Sequence, residues 1–178
     1  MTDEKLEQLR YPVGRFSDPD QITQELRFEW IYEIESFPGK LKSLVLGLSD
    51  EQLELTYRPD GWTIAQVVHH CADSHMNSII RFKLALTEEN PTIRPYYEER
   101  WAELVDGKET NLEDSINLVS SVHSKWVKVL KSMNNEDWKR TFIHPENNET
   151  IPLDLNLAIY AWHCRHHLGH VKLALGIK

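Results

Sequence analysis

The segment AWHCRHHLGH, residues 161–170, holds four of the nine histidines of this 178-residue chain. Imidazole is the commonest protein ligand for zinc and its neighbours, and two imidazoles spaced i, i+4 on a helix reach one ion together. His163/His167 and His166/His170 both have that spacing, and they interleave. Nine histidines scattered at random over this length give roughly 0.4 such pairs, so two pairs in ten residues form a pattern.

A helical wheel at about 100° per residue, zeroed on His163, puts His166 at about −60°, His167 at about +40° and His170 at about −20°. All four share one face. Leu153, Leu157, Tyr160, Cys164, Leu168, Val171 and Leu175 lie between about +60° and about +140°, which marks the direction of the core. His163 and His167 therefore border the core, and His166 and His170 lie further round, where solvent, a partner chain or a substrate would meet them.

A catalytic zinc site uses three protein ligands and keeps a fourth position open. A donor from a facing helix is needed, and VVHHCADSHMN (residues 67–77) offers His70 and His75. On a wheel zeroed on His70, Thr63, Ser74, Asn77 and Arg81 fall within about 40° of it, beside an apolar stripe of Ile64, Val67, Val68, Cys71 and Phe82. His75 lies within the apolar stripe itself, and spacing alone leaves the choice between the two open.

Three neutral imidazoles leave a bound ion dipositive, so a water in the open position loses a proton near pH ~7 and a thiol is deprotonated outright. The nucleophile is then a metal-bound water or thiolate, acting on a small-molecule substrate. In the metalloprotease pattern H-E-x-x-H a Glu follows the first histidine as general base, whereas Cys164 fills that place here. No protein base is assigned, which disfavours amide hydrolysis and suits thiol transfer, with ester hydrolysis still open. Asn77 and Arg81, on the strip of His70, are candidates for binding a polar or carboxylate-bearing substrate, as are His123 and His166. The plainer alternatives are ion pairs with neighbouring helices for Arg81 and a hydrogen-bonded core position for His123. Cys71 and Cys164 turn toward packing and read as small buried residues.

Four helices must position these groups. The first runs from about Asp20 to Leu48, with Ile22, Leu26, Trp30, Ile34, Phe37, Leu41, Leu44 and Leu48 at three- and four-residue steps, and Pro38-Gly39 is expected to kink or break it. Thr63 and Gln66 have capping-box spacing at the start of a second, which runs to about Leu86 and stops before the prolines of EENPTIRP. A third spans about Leu112 to Met133, where Ile116, Val119, His123, Trp126 and Leu130 continue the seam. Residues 138–151 suggest a short hairpin or ordered loop, and Pro152 suits the first turn of a fourth helix reaching about Leu175. The first eighteen residues read as an irregular arm. The expectation is an all-α four-helix bundle forming a single domain over residues 1–178.

The totals narrow the setting. The formal charge of −8 repels phosphate backbones, which argues against nucleic-acid binding. No stretch approaches the ~20 apolar residues of a membrane span, and the N-terminus lacks the basic start and apolar core of a secretory signal. Two cysteines make no disulfide framework, so the expected compartment is the cytoplasm.

Together with these histidines, YPVGRF near the start, RPDGWTIAQVVHHCADSHMNSIIRFKLALTEENPTIRPY in the middle and HPENNETIPLDLNLAIYAWHCRHHLGH at the end resemble the DinB/YfiT-like metal-binding four-helix bundles, specifically the YfiT type of metal-dependent hydrolase. The resemblance covers nearly the whole chain. It implies a metal held by the histidine before CAD, which is His70, and by the pair His163 and His167. It implies one divalent ion per chain, zinc first and nickel second, and a homodimer. It also implies a low-molecular-weight thiol as cosubstrate, since the type is similar to bacillithiol S-transferases. A non-catalytic metal-binding or sensing bundle is the alternative, and a closed four-ligand site completed by His166, His170 or a cysteine would favour it.

Overall fold

The computed structural model describes residues 2–146 and 148–177. In chain order the elements are α1 (Asp3–Arg10), α2 (Gln24–Val45), α3 (Asp50–Leu53), α4 (Ile64–Thr87), α5 (Glu98–Trp101), a 3-10 turn (Asp106–Lys108), α6 (Glu113–Ser132), α7 (Asn135–Trp138), β1 (Thr141–His144), β2 (Glu149–Pro152) and α8 (Leu153–Ala174). The long helices α2, α4, α6 and α8 form a four-helix bundle. In it α8 lies between α2 and α4, and α6 closes the ring from α4 back to α2.

Local chemistry sets the helix ends. Thr63 caps α4, its hydroxyl accepting the Gln66 N–H at 3.1 Å while the Gln66 side chain accepts the Thr63 N–H at 3.0 Å. That reciprocal pair satisfies two of the amides a helix start leaves free. Gln66 also donates from Nε2 to the Ala102 carbonyl at 2.9 Å, fastening the segment after α5 to the top of α4. The antiparallel hairpin pairs Thr141 with Pro152 and His144 with Glu149, and Pro152 then serves as N-cap of α8. A proline fits there because that amide has no helical acceptor.

Inside the ring, Phe37 and Leu41 of α2, Phe82 of α4, Trp126 and Leu130 of α6, and Leu153 and Leu157 of α8 are fully buried. Each of these side chains removes enough apolar surface from water to contribute roughly 2 kcal/mol. Among the described residues, no helix is long and apolar enough to cross a membrane.

Two expectations change. The N-terminal arm is not irregular throughout, since residues 3–10 form α1, capped by Thr2, whose hydroxyl accepts the Lys5 N–H at 3.3 Å. The arm packs on α8 at Gly169, where a Cβ would lie 2.7 Å from Pro12 Cγ, and is tied there by Trp162 Nε1 donating to the Gly14 carbonyl at 3.0 Å. Of the kink or break expected at Pro38, the break does not occur: α2 runs as one helix from Gln24 to Val45 through it. The proline does remove the N–H that the Ile34 carbonyl would have used, because a helical carbonyl bonds the amide four residues on.

Candidate metal centre

Helices α4 and α8 bring His70, His163 and His167 to one point. The Nε2 of His163 is 3.2 Å from Nε2 of His70 and 3.1 Å from Nε2 of His167. Ligand nitrogens about 2.05 Å from a tetrahedral zinc ion lie about 3.3 Å from each other, so these spacings fit a shared ion. His70 and His167 are buried and His163 is half-buried. Burial lowers the His70 pKa to about 4 and holds His163 and His167 well below the usual imidazole range. At neutral pH all three rings are uncharged, the form a metal requires.

His75, the rival to His70, faces inward instead. Its Nδ1 is 2.6 Å from Nε2 of His123 and its Nε2 is 3.0 Å from Nδ1 of His163. His123 is 1% exposed and its Nδ1 donates to the Ile34 carbonyl at 2.5 Å. It is enclosed in the bundle and lines neither cavity beside the three histidines.

His166 and His170 are buried on the cavity wall, partly covered by Tyr11 and by the end of α1. His170 Nε2 donates to the Arg10 carbonyl at 3.0 Å, and its ring stacks on Tyr57 at 3.8 Å between centroids. His166 stacks on Trp162 at 4.4 Å and lines the larger cavity, with its Nδ1 unpartnered among the described residues. Burial first, then the neighbouring His170 and His70, lower its pKa to about 3. His166, His167 and His170 form a second close group of nitrogens that shares His167 with the first. Neither group includes a cysteine. Cys71 and Cys164 are fully buried, and burial pushes both thiols upward in pKa, so they stay protonated.

Two cavities open beside the centre. The larger, about 1070 Å³, is lined by His70, His163 and His167 together with Arg10, Arg58, Arg100, Trp62 and Trp162. The smaller, about 580 Å³, is lined by Ser74, Arg81, Tyr96, His144, Tyr160 and again His163. Arg81 has its Nε buried without a partner among the described residues. Asn77 donates to the Asp73 carbonyl of its own helix at 2.9 Å and lines neither cavity. Glu98, which the sequence did not single out, lines both cavities, and burial followed by Glu99 and Glu146 raises its carboxyl pKa.

A bundle that gathers three neutral imidazoles from two facing helices beside an open cavity is a metal-binding helix bundle. The chain belongs to the DinB superfamily, whose family model matches residues 33–171. A Bacillus cereus (strain B4264) protein named "Putative metal-dependent hydrolase" is 51% identical over 163 residues, covering 92% of this chain and 93% of that one. A protein of the same name from Bacillus thuringiensis subsp. konkukian (strain 97-27) has the same identity and coverage. Among solved structures, YfiT from Bacillus subtilis, described as a probable metal-dependent hydrolase with an unusual four-helix bundle topology, superposes with a TM-score of 0.90 at 43% identity. That match covers 96% of this chain and 99% of YfiT. The mycothiol-dependent maleylpyruvate isomerase shares the fold at a TM-score of 0.59 and 16% identity, covering 79% of this chain and 60% of that one.

Proposed function

We propose that this protein is a metal-dependent enzyme that transfers a low-molecular-weight thiol onto an electrophilic small molecule. In this reading His70, His163 and His167 hold one divalent ion, zinc before nickel. When bound there, a divalent ion supplies Lewis acidity that lowers the pKa of a water or thiol. The observation that carries the choice of transfer is that His163 lines both cavities. Two substrates reaching one reactive point from two sides need such an arrangement, whereas hydrolysis needs one substrate and water.

The chain's own groups then divide the work. Arg10, Arg58 and Arg100 in the larger cavity suit a carboxylate-bearing thiol, because guanidinium pairs with carboxylate in a bidentate fork. Trp62 and Trp162 wall that space, His166 borders it, and Arg81 in the smaller cavity holds the polar end of the electrophile. Asn77 takes no part in binding from its place on α4. His123 acts from inside the bundle rather than by touching substrate.

Ester hydrolysis is the second reading, favoured by Glu98, whose raised pKa and place between the cavities suit a general acid or base. We also read the protein as a cytoplasmic homodimer without a nucleic-acid partner, with exposed Phe28 and Tyr32 on α2 as apolar surface for a second copy. The test uses untagged protein, metal-stripped and then reloaded, assayed with a thiol plus an alkylating electrophile and, separately, with an ester. Thiol transfer restored by reloading is expected. Ester cleavage alone would select the second reading, and activity unchanged by complete stripping would reject both.

A further inference from the structure

A backbone carbonyl only accepts hydrogen bonds, and this fixes the direction of a chain of histidines behind the metal centre. The Ile34 carbonyl accepts from His123 Nδ1, so the single proton of the neutral His123 ring sits on Nδ1 and Nε2 carries a lone pair. That lone pair faces His75 Nδ1 at 2.6 Å, which must therefore bear the proton of His75. The remaining lone pair of His75, on Nε2, faces His163 Nδ1 at 3.0 Å and accepts from it. His163 is left with its lone pair on Nε2, aimed at His70 and His167. The chain crosses all four bundle helices, from α2 through α6 and α4 to α8. His75 and His123 are buried completely or nearly so, which keeps them neutral and gives each one proton to place.

The same logic runs behind His167. The Arg10 carbonyl accepts from His170 Nε2, so His170 Nδ1 is a lone pair, and the closest proton for it is on His167 Nδ1 at 3.4 Å. His167 then also presents its lone pair on Nε2, 3.1 Å from that of His163. Two lone pairs facing each other at this distance repel unless a cation lies between them. Claiming His170 Nδ1 in this way also argues against the second nitrogen group as a competing site.

Both anchoring carbonyls are free for the same kind of reason. Pro38 has no N–H to give Ile34, and Arg10 ends α1, where the last carbonyls have no helical donor. We propose that these two interrupted helices act through His123–His75 and through His170 to lock His163 and His167 in the tautomer that exposes Nε2, making His75, His123 and His170 positioning residues for the metal ligands. The proposal rests on the metal site described above, and its test separates the two.

Long-range proton–nitrogen NMR of histidine-labelled, metal-free wild-type protein at neutral pH reads each tautomer directly. The expected spectrum has Nδ1–H for His75, His123, His163 and His167, and Nε2–H for His170. Nε2–H on His163 in the metal-free protein would overturn the proposal whether or not the protein binds metal, so this arm stands apart from the site itself. Zinc affinity by chelator competition provides the second readout. His75→Leu is expected to weaken zinc roughly 10- to 100-fold, and His75→Gln, which keeps an acceptor for His163, to recover most of that loss. His170→Leu is expected to cost less, in line with its longer contact, with His170→Asn recovering it. Leucine and the amide variants equally impaired at the same thermal midpoint would overturn the positioning role, whereas wild-type protein that binds no zinc would overturn the site.

Discussion

The two hydrogen-bonded supports behind the proposed ligands His163 and His167 are built from different parts of the molecule. His163 rests on His75, His123 and the Ile34 carbonyl, all within the bundle among Phe37, Phe82 and Trp126. His167 rests on His170 and the Arg10 carbonyl, and Arg10 belongs to α1, a helix with no buried residue of its own. One support is as stable as the core. The other depends on an arm laid over α8, whose local opening is expected to be easier than that of the bundle. If His163 and His167 hold a metal as proposed, the difference teaches that the bundle alone orients the first, whereas the arm is needed to orient the second.

The largest effect is expected from removing the central histidine outright. Replacing His163, the histidine whose Nε2 neighbours both of the others, with Ala should lower zinc affinity at least ~100-fold, since a site reduced to two ligands is no longer a zinc site. Equilibrium competition against a chelator measures it, and a loss of only a few-fold would mean that His163 is not a ligand.

Gly169→Ala probes the arm alone. Alanine favours a helix interior by about 1 kcal/mol over glycine, but its Cβ would strike Pro12 and push the arm off α8. The thermal midpoint should hold or rise while zinc affinity falls a few-fold, a split that damage to the core would not produce. A variant with unchanged affinity would show that the arm does not serve His167.

A smaller, graded effect concerns acid. His70, His123 and His170 are held neutral by burial, with pKa values lowered to about 4, while the unfolded chain titrates its histidines near ~6.5. The unfolded state takes up protons first, so this stability is fully present above pH ~6.5 and is lost as pH falls toward about 4. The thermal midpoint of metal-free protein, followed by circular dichroism, should fall through that window. A flat profile would contradict the burial of neutral imidazoles on both supports.

Much of the bundle was legible because its signals are local. The Thr63–Gln66 capping box, the apolar stripes of α6 and α8 and the Pro152 start of α8 each fix an element without reference to the rest of the chain. The i, i+4 spacing of His163 and His167 put two imidazoles side by side for the same reason. A helical wheel cannot decide where tertiary placement does. It leaves solvent, a partner chain or a substrate open for the face of His170, and what covers that face is the end of α1 of the same chain, whose Arg10 carbonyl accepts from His170. The start of α1 did carry a signal in Thr2, followed by the acidic Asp3 and Glu4 of a first turn. Nothing in the sequence could pair His123 with the carbonyl that Pro38 leaves free, because the partners lie 89 positions apart and meet only when four helices close.

The most direct test of the account is X-ray absorption at the zinc edge of untagged, zinc-loaded protein with one ion per chain. Three imidazole nitrogens and one exchangeable light-atom ligand, with one imidazole lost in His70→Ala, are the predicted result. A shell containing sulfur from Cys71 or Cys164, or four imidazoles with no exchangeable position, would contradict it.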